Sequence, residues 1–182
     1  MEQFTNKVIQ GDCLEVMKDI PDKSVDCIVT SPPYYNQLSY ESNSNSYLQY
    51  IEFITKVAKE SFRVLKNNSY FFLNFANDKT NTIKPYEVLF RFLEQGFTLD
   101  DMIIWYRDNS QPVNTDRQLT PQYEFILKTT KGNDIVLDMF MGSGTTAYAC
   151  KKNNRNHIGI EISPEYIDII NKRLTQDTNP KE

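Results

Sequence analysis

The sequence predicts an α/β fold, a mostly parallel sheet covered by helices on both faces. Three observations carry that prediction. Short apolar runs of strand type alternate with helical patterns almost throughout the 182 residues. One alternation, Asp134 to Thr146 (DIVLDMFMGSGTT), joins the apolar run Ile135-Val136-Leu137 through a glycine turn, Gly142-Ser143-Gly144, to a helix opening at Thr145-Thr146-Ala147. The other unusual turns, Gly11-Asp12, Ser31 to Tyr35 and Glu161, fall where such a sheet places the carboxyl ends of its strands, and there its ligands bind.

Taken in order, Lys7 to Gln10 is a short strand stopped by Gly11-Asp12. Cys13 to Asp19 forms a single helical segment with Leu14 and Met17 inward, broken by Pro21. Ser24 to Val29 is the next strand, and it runs into Thr30-Ser31-Pro32-Pro33-Tyr34-Tyr35, where two adjacent prolines end it. Asn36 to Ser46 has the Ser- and Asn-rich profile of an exposed loop, and Ser46 with Gln49 resembles a capping box. A long helix follows, with Leu48, Ile51, Ile54, Ala58, Phe62 and Leu65 on one apolar face.

Ser69 to Phe75 (SYFFLNF) is a strand, and Pro85 to Leu93 is a second amphipathic helix ending at Gly96. Met102 to Tyr106 and Tyr123 to Leu127 are two more strands with a long polar excursion, Arg107 to Thr120, between them. After the glycine turn come a helix to about Asn153, a strand Asn156 to Ile160 ending in Glu161, and a last helix opened by Ser163-Pro164 with Ile167, Ile170 and Leu174 inward. Residues 1 to 176 make one domain, with no internal repeat or linker, and 177 to 182 are a polar tail.

Composition narrows the function. The net charge of −4 disfavours a broadly basic surface, so a nucleic-acid partner must meet local patches such as Lys128/Lys131 or Lys151-Lys152-Arg155. The latter patch is most simply a solvated helix end. Cys13, Cys27 and Cys150, odd in number and set in apolar or helical segments, suit a reducing compartment. With one histidine, no metal-ligand spacing, no signal-peptide core and no apolar run near the roughly 18 residues of a membrane span, the expectation is a cytoplasmic protein without metal or membrane.

Two stretches carry chemistry. At the glycine turn a ligand can approach the backbone closely, and the first free amides of the helix offer donors to an anionic group. Glu161, seventeen residues after Gly144 at the end of the next strand, can accept hydrogen bonds from both hydroxyls of a ribose, so the pair fits a nucleoside-containing cofactor. In the SPPY turn, Ser31 offers a hydroxyl, Pro32 a carbonyl and Tyr34, or its neighbour Tyr35, an aromatic face. Such a turn can grip a flat ring bearing an amino group and draw that nitrogen's lone pair out of conjugation, and a base so presented has left the duplex. Gly142-x-Gly144-x-x-Ala147 also fits the looser dinucleotide fingerprint, which keeps a nicotinamide dehydrogenase as a remote alternative that leaves SPPY unexplained. His157, Trp105 and the Phe71-Phe72 pair read as structural.

SPPY at residues 31 to 34, followed far downstream by DMFMGSGTT at 138 to 146 and IGIEISPEYI at 158 to 167, resembles the amino-methylating DNA methyltransferases. More narrowly, it resembles their permuted beta group, in which the catalytic tetrapeptide precedes the S-adenosylmethionine motif. The resemblance implies a class I, Rossmann-like sheet of seven strands whose last strand, here Tyr123 to Leu127, is antiparallel. It further implies that Asp138, Phe140, Gly142, Ser143, Gly144 and Thr145 line the methionine side of S-adenosylmethionine, that Glu161 holds the ribose, and that Asp12 contacts the adenine amino group, cap to the short helix after it or both. Ser31, Pro32, Pro33 and Tyr34 become the catalytic turn, while Tyr35, Asn36, Arg107 and Arg117 are candidates for DNA contact. Serine at the first catalytic position leans toward the 4-amino group of cytosine, with the 6-amino group of adenine next, in a restriction-modification or mobile-element setting.

Three departures from the family pattern stand out. Met139 replaces the usual proline after Asp138. Only six residues, Lys128 to Asn133, fill the interval where the family places a target-recognition region. The family's helix upstream of the glycine motif has no evident counterpart. Sequence readout is then expected from the loops, a second protomer or a separate recognition subunit, and the alternative reading is a catalytically incomplete remnant or one subunit of a split enzyme.

Overall fold

The computed structural model describes residues 1–33, 35, 47–75, 84–102 and 130–176. Among them five strands form one sheet: β1 (Lys7–Gln10), β2 (Val25–Thr30), β3 (Leu65–Leu73), β4 (Ile135–Asp138) and β5 (Asn156–Glu161). Their spatial order is β1-β5-β4-β2-β3, and every pairing is parallel. The chain leaves β4 toward β5 on one side, and leaves β2 toward β3 on the other. The boundary between β4 and β2 is therefore the topological switch point, where open sheets of this kind form their ligand crevice.

The helices are α1 (Cys13–Lys18), α2 (Tyr47–Val64), α3 (Lys84–Leu93), α4 (Thr145–Lys152) and α5 (Pro164–Gln176). Side chains alternate across a strand, so Ile28, Leu137, Ile158 and Ile160 face one way, into a core with Met17 of α1, Ile54 and Val57 of α2, and Val88 and Phe92 of α3. Cys27, Val29 and Val136 face the other way, against Ala149 and Cys150 of α4, while Ile170 of α5 packs with Ala147 and Met141. The sheet is covered on both faces, which is why β4 carries the apolar run Ile135-Val136-Leu137 and β5 is buried along nearly all its length.

Two elements differ from the sequence expectation. The buried stripe of α2 is Tyr50, Ile54, Val57, Ala58, Ser61 and Val64, whereas Leu48 is 74% exposed and Phe62 lies at the surface beneath Lys23. Leu48-Ile51 and Tyr50-Ile54 offer competing stripes in sequence. Tyr50 wins because its ring packs against Tyr35 and Tyr47 at the end of the turn after β2. The strand expected at Ser69 begins four residues earlier, at Leu65, with no loop between it and α2. Polar Lys66-Asn67-Asn68 hid this start. Leu65 pairs with Val25, the Lys66 ammonium meets the Asp26 carboxylate at 2.5 Å, and a register shift between Val25 and Cys27 absorbs the extra residues before Tyr70.

The last part of the junction is described and forms a fixed turn. Asp134 N donates to Lys131 O, Asn133 N donates to Asn154 O, and the Arg155 guanidinium holds both the hydroxyl and the carbonyl of buried Thr130. Arg155 is thus a structural clasp rather than part of a solvated basic patch, and the Lys151 ammonium likewise donates to Leu174 O at the end of α5. The expected strands Met102 to Tyr106 and Tyr123 to Leu127 lie, apart from Met102, outside the described residues, as do the loops Asn36 to Ser46 and Arg107 to Thr120. No helix among the described residues is long and apolar enough to cross a membrane.

Candidate functional site

Four adjacent strands bring the sequence-predicted residues to one end of the sheet. β1 ends at Gly11-Asp12, β5 at Glu161, β4 at Asp138 with the glycine loop after it, and β2 at Thr30-Ser31. Backbone bonds tie these ends together: Gly11 N donates to Glu161 O at 3.0 Å, and Met141 N donates to Ile160 O at 2.9 Å.

Glu161 is buried, and its two oxygens are divided between two turns. Oε2 accepts from Gly142 N at 2.7 Å and Oε1 from Ser163 N at 2.9 Å. A carboxylate has about four acceptor positions, so each oxygen keeps capacity for a further donor. Asp12 is exposed, and Oδ1 caps α1 by accepting from Leu14 N and Glu15 N. The capping role therefore stands, and Oδ2 is the atom through which a ligand donor could also be met.

The glycine loop has its own local logic. Gly142 and Gly144 sit at φ +52° and +82°, a region that L side chains rarely adopt. A methyl group on Gly144 would meet Ile170 Cγ1 of α5 at 2.9 Å, while one on Gly142 would find nothing within 4 Å. The loop is packed behind and open in front. Gly159 of β5 is glycine for a different reason, since Met141 of the loop lies across it where a Cβ would stand. No side chain caps α4 at Gly144, which leaves the helix's first amides to other acceptors.

Asp138 is the buried end of β4. It is 6% exposed, and its carboxylate accepts from three protein donors: Thr30 Oγ1 at 2.9 Å, Phe140 N at 3.1 Å and Thr146 Oγ1 at 2.7 Å. Burial pushes its pKa up to about 6 against the pull of those donors, with Glu161 nearby raising it further. The carboxylate is thus an internal hub between β2, β4 and the start of α4. Phe140 packs its ring against Phe53 of α2, centroids 6.1 Å apart, and Met139 is fully buried with its sulfur 3.6 Å from Ser61 Oγ.

In the turn after β2, Pro32 is buried and Ser31 and Pro33 are half-buried, all at the carboxyl end of that strand. Tyr35 does not offer a free ring, for it meets Tyr47 and Tyr50 edge-on at 5.4 and 5.8 Å. That packing anchors the turn to α2 and removes Tyr35 from the candidate base-stacking residues. Tyr34, Asn36, Arg107 and Arg117 lie outside the described residues.

Sequence reasoning missed three contributors. Thr30 and Thr146 satisfy the buried Asp138, and a carboxylate in an apolar strand should itself have prompted a search for such hydroxyls. Arg173 of α5 reaches back to the loop, donating to Ser143 O at 3.1 Å and Thr145 Oγ1 at 3.3 Å with its guanidinium 5.1 Å from the Tyr148 ring centre. Nothing in local sequence signals that reach. A separate pocket of about 400 Å³, bordered by Asn6, Asn133, Lys151, Asn156 and His157, opens at the amino ends of the strands, away from this row. His157 is buried there with both ring nitrogens unpartnered, and burial lowers its pKa to about 4.

Comparison with known proteins agrees with this arrangement. The chain is 31% identical over 252 aligned residues to the type II beta methyltransferase M.BslI of Bacillus sp. (strain NEB-606), covering 92% of this chain and 27% of that protein. It is 25% identical to the type II methyltransferase M.Cfr9I of Citrobacter freundii, covering 94% and 89%. Both alignments are longer than the chain itself, so both relatives carry residues that it lacks. The fold matches that of TTHA0409, a putative DNA modification methylase from Thermus thermophilus complexed with S-adenosyl-L-methionine, with a TM-score of 0.72, 20% identity and 96% of each chain covered. A DNA methylase family model matches residues 25–132 and 125–172, two stretches that meet at the shortened junction. Matched over most of its length on either side of that junction, the chain belongs to the N6/N4 DNA methylase family.

Proposed function

We propose that the chain is an S-adenosylmethionine-dependent DNA methyltransferase of the permuted beta group, acting on the exocyclic amino group of a flipped base. The observation that carries this is the placement of Ser31-Pro32 directly across the β2/β4 switch point from the glycine loop and Glu161. The site fits the cofactor. Open space in front of Gly142, uncapped amides at the start of α4 and a buried carboxylate at the end of β5 suit, in turn, a close-lying chain, a carboxylate and a ribose. Bound there, S-adenosylmethionine would supply an electrophilic methyl group on a cationic sulfonium. A dehydrogenase would leave the Ser31-Pro32 turn at the crevice without a role, which favours the methyltransferase.

On this reading Glu161 accepts from the ribose hydroxyls and Asp12 Oδ2 from the adenine amino group, while Phe140, Gly142, Ser143, Gly144 and Thr145 flank the methionine moiety. Ser31 Oγ and Pro32 O accept the hydrogens of the target amino group and orient its lone pair toward the methyl carbon, with Tyr34 stacked on the base. Serine at position 31 favours the 4-amino group of cytosine. A restriction-modification role follows the type II relatives. DNA contact falls to Asn36, Arg107 and Arg117.

A second reading, one subunit of a split enzyme, is favoured by the junction, where Thr130 to Asn133 make a clasped turn and leave no room for a recognition region. A homodimer or separate recognition subunit would then supply the missing readout. Mass spectrometry of nucleosides from DNA incubated with the chain and S-adenosylmethionine tests both. A methylated cytosine or adenine formed by the unmutated chain but not by Ser31→Ala supports an autonomous enzyme. Product only after a second protein is added supports the split reading, and equal product from both chains refutes the role of Ser31.

A further inference from the structure

β2 and β4 stop pairing before they end. Their ladder runs through Cys27↔Val136 and Ile28↔Leu137, and Thr30 and Asp138 lie beyond it, where the strands part at the switch point. The hydrogen bond from Thr30 Oγ1 to Asp138 Oδ1 spans that parting. Asp138 also accepts from Phe140 N in the glycine loop and, through Oδ2, from Thr146 Oγ1 in the first turn of α4. Three elements thus meet on one carboxylate. Thr30 and Thr146 are 3% and 1% exposed, so water does not compete for either hydroxyl, and losing one would leave a buried acceptor without its donor. The next residue after Thr30 is Ser31.

We infer that Thr30 and Thr146, acting through Asp138, are positioning residues that set the separation of the Ser31 turn from the glycine loop across the β2/β4 crevice. This rests on the methyltransferase reading for its purpose. In-line transfer needs reacting atoms at about 3 to 3.5 Å, and a misplacement of about 1 Å can lower the rate roughly 100-fold.

The test uses Thr30→Val, which keeps shape and removes the hydroxyl, Thr30→Ser, which restores it, and Thr146→Val from the opposite side. In the free protein, Thr30→Val should speed amide hydrogen exchange from Phe140 to Thr145 by about tenfold, and Thr146→Val should do the same at Ser31 and Tyr35, as loss of a bond to a charged group implies. Exchange that rises only within the mutated element overturns the inference. With S-adenosylmethionine, Thr30→Val should keep affinity within about twofold and lose about tenfold or more in single-turnover methyl transfer, with Thr30→Ser restoring the rate. Equal loss of affinity and rate, or an unchanged rate, also overturns it. Exchange coupling in a protein that transfers no methyl group, alone or with a recognition subunit, would sink the methyltransferase reading while leaving the linkage between the turns standing.

Discussion

Asp138 and His157 are ionisable side chains inside the same sheet, and burial moves their pKa values in opposite senses. The Asp138 value rises from 3.8 to about 6, so the folded state holds its proton more tightly than the unfolded chain does. Its stabilising contribution is complete below pH 3.8 and is lost as pH rises through about 6, by roughly 3 kcal/mol on a shift of this size. His157, lowered from 6.5 to about 4, contributes stability above pH 6.5 that is lost as pH falls through about 4. The two slopes overlap and oppose each other, so the unmutated protein alone should show a shallow profile. Subtracting the urea-unfolding free energy of Asp138→Asn isolates one of them. That difference should fall by about 2 kcal/mol between pH 4 and 6 and be flat from pH 7 upward. A difference that rises over the interval would mean that the three hydrogen bonds outweigh burial.

At the scale of elements, α5 acts as the backing plate of the glycine loop, with Ile170 pressed against Gly144 and Arg173 bonded to Ser143 and Thr145. This separates two glycines that look alike in sequence. Gly144→Ala combines a strained φ with a clash against Ile170 and should cost about 2 to 4 kcal/mol of stability. Gly142→Ala meets only the strain, about 1 kcal/mol, but places a methyl group in the open space in front of the loop. Thermal unfolding and cofactor titration should therefore rank the two variants in opposite orders. Gly142→Ala should be the more stable protein and the weaker binder. Most elements were legible in sequence because the strands carry short apolar cores, such as Cys27-Ile28-Val29 and Ile135-Val136-Leu137, and α3 and α5 have one clear face each. The start of β3 was not, since Lys66 to Asn68 owe their place to Asp26 across the sheet, and the α2 stripe was not, since Tyr50 is buried by Tyr35 and Tyr47.

Across the whole molecule, the row of strand ends was legible because glycine, proline and acidic residues punctuate four apolar strands. The bonds that join the row were not, because Thr30, Asp138 and Arg173 meet through separations of up to 108 residues, which no local pattern reports. The same long-range economy bears on how the chain can change length. α2 passes into β3 at Val64-Leu65 with no residue between them. One inserted residue there would rotate the helix by about 100° relative to the strand and swing Tyr50, Ile54 and Val57 out of the core. The turn before β4 is held differently, by its own bonds, Lys131 N to Asp134 Oδ2 and Asp134 N to Lys131 O. A single alanine inserted after Val64 should prevent folding, as circular dichroism would record. The helix-to-strand joint therefore works like a keyed shaft, in which the length of chain sets the angle of everything mounted on it.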